Sequence, residues 1–147
     1  LWRFHRSLSA QFEARRIGAV MWSNLLRVDA GPESLPNRSA WKNLTDNEFS
    51  SVLDWQTALF HAEMSALAPN IVIFVTGPDY DGALCRLYPD IKQHEVGGVP
   101  VRALARLCSE RMRFVALRTY HPNFLARPKG QPATEELMKF LCEELAS

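Results

Sequence analysis

The residues best placed by type and spacing to do chemistry lie between Arg113 and Lys129, in the stretch RFVALRTYHPNFLARPK. The apolar run Phe114, Val115, Ala116 and Leu117 reads as a buried strand over Arg113 to Tyr120. It leads into His121-Pro122-Asn123, and Phe124, Leu125, Arg127, Pro128 and Lys129 follow. A rigid turn thus presents an imidazole, an amide and two cations. In open α/β sheets, ligands bind just outside the carboxyl ends of strands, which makes His121 the first candidate. A strand-end histidine can also be purely structural.

Asn24 is a second candidate, because it interrupts the apolar stretch IGAVMWSNLLRV. An amide near a strand end that finds no partner costs about 1–3 kcal/mol. A turn or a ligand can be that partner. Downstream, residues 29–44 form a long loop whose most distinctive part is Pro36-Asn37-Arg38. Long loops in compact domains are often functional. A third point of interest is Thr76-Gly77-Pro78-Asp79, where the β-branched run IVIFV meets a glycine turn before a helix. That layout brings backbone N–H groups to a ligand. It lacks the glycine and lysine pattern of a P-loop and is not GxGxxG.

Other chemistries are weakly supported. Cys85, Cys108 and Cys142 are widely spaced, with no CxxC and no Cys/His cluster, so zinc and iron–sulfur sites are not expected. Reduced thiols in a cytoplasmic protein are the simplest account. His61 has no second ligand one helical turn away. No apolar run approaches the length of a membrane span, and the charged, aromatic N-terminus is unlike a signal peptide. The net charge of +1 is uninformative, but its distribution is not. From Val101 to Lys129 there are seven Arg or Lys and one acid, Glu110, whereas Thr45 to Leu67 holds four acids and no Lys or Arg. A basic segment of this kind suits a phosphate-bearing partner, and equally a plain solvated surface.

The elements that must position these residues follow from pattern. At 147 residues, 47% of them hydrophobic, the chain has the length of one domain with its own core. Residues 2–16 have helical spacing, and residues 17–28 suit a buried strand. Thr45 and Glu48 form a capping box ahead of a helix running to about Leu67, which Pro69 ends. Ile71 to Val75 reads as a central parallel strand, followed by a helix over Asp79 to Leu87. Gly97-Gly98 marks a turn. The alternation from Val101 to Leu107 suggests an edge strand or a short helix. A last helix spans Thr134 to Ala146, with Leu137, Leu141 and Leu145 inward. Alternation of helices and strands implies an α/β fold with a mainly parallel sheet covered on both faces.

Three motifs in this order resemble the uracil-DNA glycosylase superfamily. Ser23-Asn24-Leu25-Leu26-Arg27 with Pro36-Asn37-Arg38 is similar to the family's asparagine segment. Ala68-Pro69-Asn70 through Thr76-Gly77 is similar to its strand ending at a glycine. His121-Pro122-Asn123-Phe124-Leu125 is similar to its His-Pro-Ser loop. The resemblance implies a three-layer α/β/α fold, no cofactor, and excision of uracil or a related deaminated base after base flipping. On that reading His121 is the catalytic donor. Asn24 and Gly77 bind the base. Asn123, Arg127, Lys129 and Arg38 bind DNA, Arg118 adds a further phosphate contact, and Leu125 wedges into the duplex or packs in the core. The partner is DNA, with no membrane, and the protein is a monomer.

The family's first motif, which carries a water-positioning acid or amide, has no counterpart here, since Glu13 is the only acid before Asn24. With Leu1 in place of Met, one expectation is a domain incomplete at its N-terminus. The alternative is a catalytically inactive glycosylase-like module that binds nucleic acid or a nucleotide. An unrelated domain binding a small phosphate ligand is a third class.

Overall fold

The apolar run Ile71–Phe74 has the β-branched character of a strand with both faces covered, and it forms β1 in a computed structural model of the chain. The structure describes residues 5, 6, 8–10, 20, 21, 23–25 and 45–145. Two compact units are present, one comprising Leu1–Trp22 with Asn70–Ser147 and the other Ser23–Pro69.

In the Ser23–Pro69 unit the expected capping box is present. Thr45 Oγ1 accepts from the Glu48 N–H, and Glu48 Oε2 accepts from the Thr45 N–H at 2.9 Å. These bonds satisfy orphan donors at the start of helix α1, Asp46–Leu67. Leu53, Gln56 and Phe60 are buried at helical spacing. Ala68 ends the helix in the left-handed region, φ 43°, with its N–H donating to Met64 O. The Ser23 hydroxyl donates to the Glu63 carboxylate at 3.2 Å.

The larger unit is built on a four-stranded sheet of order β1-β4-β3-β2. Its strands are β1, β2 (Lys92–Glu95), β3 (Leu104–Cys108) and β4 (Val115–Thr119). The fold is α/β, but among the described residues the sheet is mixed. β1 and β4 are parallel, while β4–β3 and β3–β2 are antiparallel. Chain length between strands decides this. The connections from Glu95 to Leu104 and from Cys108 to Val115 are shorter than the dozen or more residues a parallel crossover needs. Between β2 and β3, Gly97 and Gly98 both take positive φ, 60° and 76°, between the bridged residues Val96 and Val99. This is the turn geometry that Gly-Gly supplies.

Two strand expectations are corrected. The Val101–Leu107 segment is not an edge strand. Residues 101–103 form a turn, and β3 lies between two neighbours with Leu104, Ala105 and Leu107 all buried. The strand β2, sequence KQHE, stands at the end of the sheet order instead. Likewise β1 stands at the other end among the described strands. The strand expected over residues 17–28 falls mostly outside the described residues, and residues 20, 21 and 23–25 carry no strand. Residues 5, 6 and 8–10 of the expected first helix are helical.

Register divides the sheet residues between two faces. Ile71, Ile73, Leu117 and Leu104 share one face. They meet the last helix, α4 (Gln131–Glu144), through Ala133, Leu137 and Leu141. That cluster also takes in Leu8, Val96, Val99 and Leu125. Phe74, Ala116, Arg118, Ala105 and Gln93 share the other face by register. Arg118 and Gln93 both bond Asp81, the first residue of helix α2 (Asp81–Leu87).

Candidate functional site

Because β1 and β4 are parallel, their carboxyl ends open on the same edge of the sheet. A direct hydrogen bond ties the two ends together, with the Gly77 N–H donating to Thr119 O at 2.9 Å. Gly77 has φ 70°, a region other residues enter at a cost. A methyl group there would also lie 3.3 Å from Tyr120 Cδ1. Glycine therefore serves both the turn and the close approach to Tyr120. The chain then passes through a 3₁₀ turn, Pro78–Tyr80, into α2.

At the end of β4, His121 caps the one-turn helix α3, Pro122–Leu125. Pro122 occupies the first helical position, where its missing N–H costs nothing. His121 O accepts from the Phe124 N–H at 2.8 Å. Its ring Nδ1 accepts from the Asn123 N–H at 3.2 Å. An accepting Nδ1 assigns the proton to Nε2 in the neutral imidazole. Partial desolvation of the ring lowers the His121 pKa below its ordinary 6.5, although the residue as a whole is exposed. At neutral pH the turn therefore carries an uncharged imidazole with one N–H free of the cap. Such a group can donate a hydrogen bond to an oxygen that is gaining negative charge, and no proton need be transferred.

Around it, Asn123, Arg127 and Lys129 are exposed. Arg127 precedes a second 3₁₀ turn, Pro128–Gly130, whose Gly130 N–H donates to Arg127 O at 2.8 Å. Two cations thus stand within eight residues of the imidazole along a tightly turned segment.

Gly77, His121, Asn123, Arg127 and Lys129 lie in one unit, and the Gly77 N–H to Thr119 O bond joins the two strand ends from which the Gly77 and His121 turns leave. Of the two roles open to Leu125, a duplex wedge or core packing, the structure shows core packing. Leu125 is 5% exposed and clusters with Ala133, Leu137 and Leu141, because one turn of helix after Pro122 carries it inward. Arg118 is corrected from a phosphate contact to a buried tie. It is 1% exposed, and its guanidinium donates to Arg102 O at 2.8 Å and Gln93 Oε1 at 3.0 Å. Its Nε lies 3.1 Å from Asp81 Oδ1. That contact is an ion pair only, and the hydrogen bond to Asp81 runs from Arg118 Nη2 to Oδ2 at 3.4 Å. Asn24 is exposed and belongs to the Ser23–Pro69 unit. Arg38 lies outside the described residues.

One feature of the turn is absent from the sequence expectations. Tyr120 and Phe124 stack with ring centroids 4.3 Å apart and planes at 38°. The signal was the pair of aromatics four positions apart, flanking His121-Pro122-Asn123.

No family model, curated protein or solved structure matches the chain. Among the described residues no group of three or more His, Cys, Asp or Glu is arranged to hold a metal ion. Cys85, Cys108 and Cys142 are free thiols. Among the same residues no helix is long and apolar enough to cross a membrane.

Proposed function

We propose that the chain is a DNA glycosylase-like protein of three-layer α/β/α architecture, acting in base excision on uracil or a related deaminated base. The observation that carries this reading is the His121 turn. A neutral imidazole with its outward donor at Nε2 stands at the carboxyl end of β4, beside the Gly77 turn and a basic flank.

The chemistry follows from charge. Breaking an N-glycosidic bond leaves negative charge on the departing base and positive charge on the sugar. A fixed donor aimed at the base carbonyl oxygen stabilises the first of these. In comparable oxyanion sites one such donor is worth about 2.7–4 kcal/mol. A neutral donor keeps the site from repelling the cationic sugar. Gly77 holds its turn close against Tyr120, next to His121, and Arg127 and Lys129 neutralise phosphates, so binding weakens as salt rises.

The unmatched first motif favours a second reading, a glycosylase-like module that binds nucleic acid or a nucleotide without cleaving it. One experiment separates the two. The full chain is incubated with oligonucleotides carrying a single uracil, hypoxanthine or xanthine, and abasic sites are counted after alkaline cleavage. Base release from at least one substrate is expected. Salt-dependent binding with no release would replace the first reading by the second. Neither release nor salt-dependent binding would remove both.

A further inference from the structure

We infer that the Tyr120–Phe124 pair is a stacking platform for a nucleobase, with Phe124 as the ring that meets it. The inference rests on the reading of the His121 turn as a nucleic-acid site, but it assigns a contact that reading does not contain.

The two rings differ in their support. Tyr120 packs against the core cluster and lies against Gly77. Phe124 is held by its N–H to His121 O, and its ring rests on Tyr120 while remaining partly exposed. Phe124 is not among the described side chains that pack on the core cluster. Leu125, the next residue, is spent on that core. The apolar side chain left at the turn is therefore Phe124. Its immediate neighbours His121 and Asn123 are exposed and polar, and Arg127 and Lys129 are exposed cations further along the same turn. An aromatic face followed three and five residues on by exposed cations matches a nucleotide, whose base stacks while its flanking phosphates are neutralised. Proteins that grip single strands combine these same two elements. The occupant is thus a base in an unpaired or flipped nucleotide.

The test compares two single strands with identical phosphates, an oligothymidylate and its counterpart built from abasic units. Neither contains an excisable base. Affinities of the wild-type chain, Phe124→Ala and Phe124→Trp are measured by fluorescence anisotropy of end-labelled strands. Phe124→Ala should weaken oligothymidylate binding about 5- to 150-fold, the fold-change equivalent of losing one base–aromatic stack. It should leave the abasic strand unaffected. Phe124→Trp should bind oligothymidylate as the wild type does. Equal losses on both strands, no loss on either, or no binding of oligothymidylate by the wild type would overturn the inference. Base release without the Phe124 effect would sink only this inference. The Phe124 effect without base release would sink only the glycosylase reading.

Discussion

Arg118 and His121 stand three residues apart at the end of one strand, and they represent opposite uses of a polar side chain. Arg118 is enclosed, and the two terminal nitrogens of its guanidinium donate to Arg102 O, Gln93 and Asp81 while its Nε is held by the ion pair alone. Those contacts tie β4 and β2 to the start of α2. His121 commits one ring nitrogen to its own turn and leaves the other facing away from that cap. The commitment of its polar atoms decides whether a side chain can do chemistry. A group whose hydrogen-bonding capacity is used internally holds the fold, and a group that keeps a donor in reserve can address a ligand. Arg118 thereby fixes the strand from whose end His121 projects.

The comparison can be broken from the Arg118 side first. Arg118→Met removes one partner and leaves Asp81 and Gln93 facing an apolar chain. Breaking a fully buried pair in this way costs about 3–5 kcal/mol, and because Asp81 is 26% exposed the loss read from urea unfolding should fall at or below the lower end of that range. A loss near zero would mean that the network contributes no more than a surface pair. Next comes Leu125→Ala, expected to cost about 2–5 kcal/mol in the same assay, as leucine truncations in cores do. A wild-type midpoint with weakened duplex binding would instead restore the wedge role to Leu125.

The smallest effect sharpens the His121 side. Its pKa is lowered in the folded chain by desolvation, so the unfolded chain takes up a proton first as pH falls. The stability contributed by the neutral ring is complete above about 6.5, its ordinary value. It declines as pH falls through the lowered folded value. Protonation also removes Nδ1 as acceptor for the Asn123 N–H. The difference in unfolding midpoint between wild type and His121→Ala should therefore shrink on acidification below 6.5. A difference that grows there would reverse the assigned protonation state.

How much of this was legible in the sequence depends on whether a residue's role is local. The Thr45–Glu48 box, the Gly97-Gly98 turn, the IVIF strand and the helix bearing Leu137 and Leu141 rest on neighbouring residues, and sequence pattern reached them. The strand KQHE was missed because it is largely exposed and has no apolar face to betray it. β3 misled because Ala105 to Cys108 are buried and exposed in turn, a pattern that an interior strand shares with an edge strand, and only its pairing with β2 and β4 tells them apart. Arg118 was assigned to solvent by its charge, since Asp81 and Gln93 become its partners only through the sheet and α2. Leu125 and Phe124 are adjacent, and only the one-turn helix after Pro122 decides which points inward. The places of His121 and Gly77 at the ends of β4 and β1 were legible, because each follows directly on an apolar strand run. The aromatic pair was not, because its significance depends on the rings meeting.

The central claim is that the His121 turn stabilises a departing base, and single-turnover kinetics of His121→Ala tests it most directly. On whichever deaminated substrate the wild type cleaves, the rate of base release at saturating enzyme should fall about 100- to 1,000-fold, the usual cost of losing one such donor. The dissociation constant for the same DNA should change only a few-fold, roughly what one neutral hydrogen bond contributes. An unchanged rate, or a loss of binding as large as the loss of rate, would contradict the account.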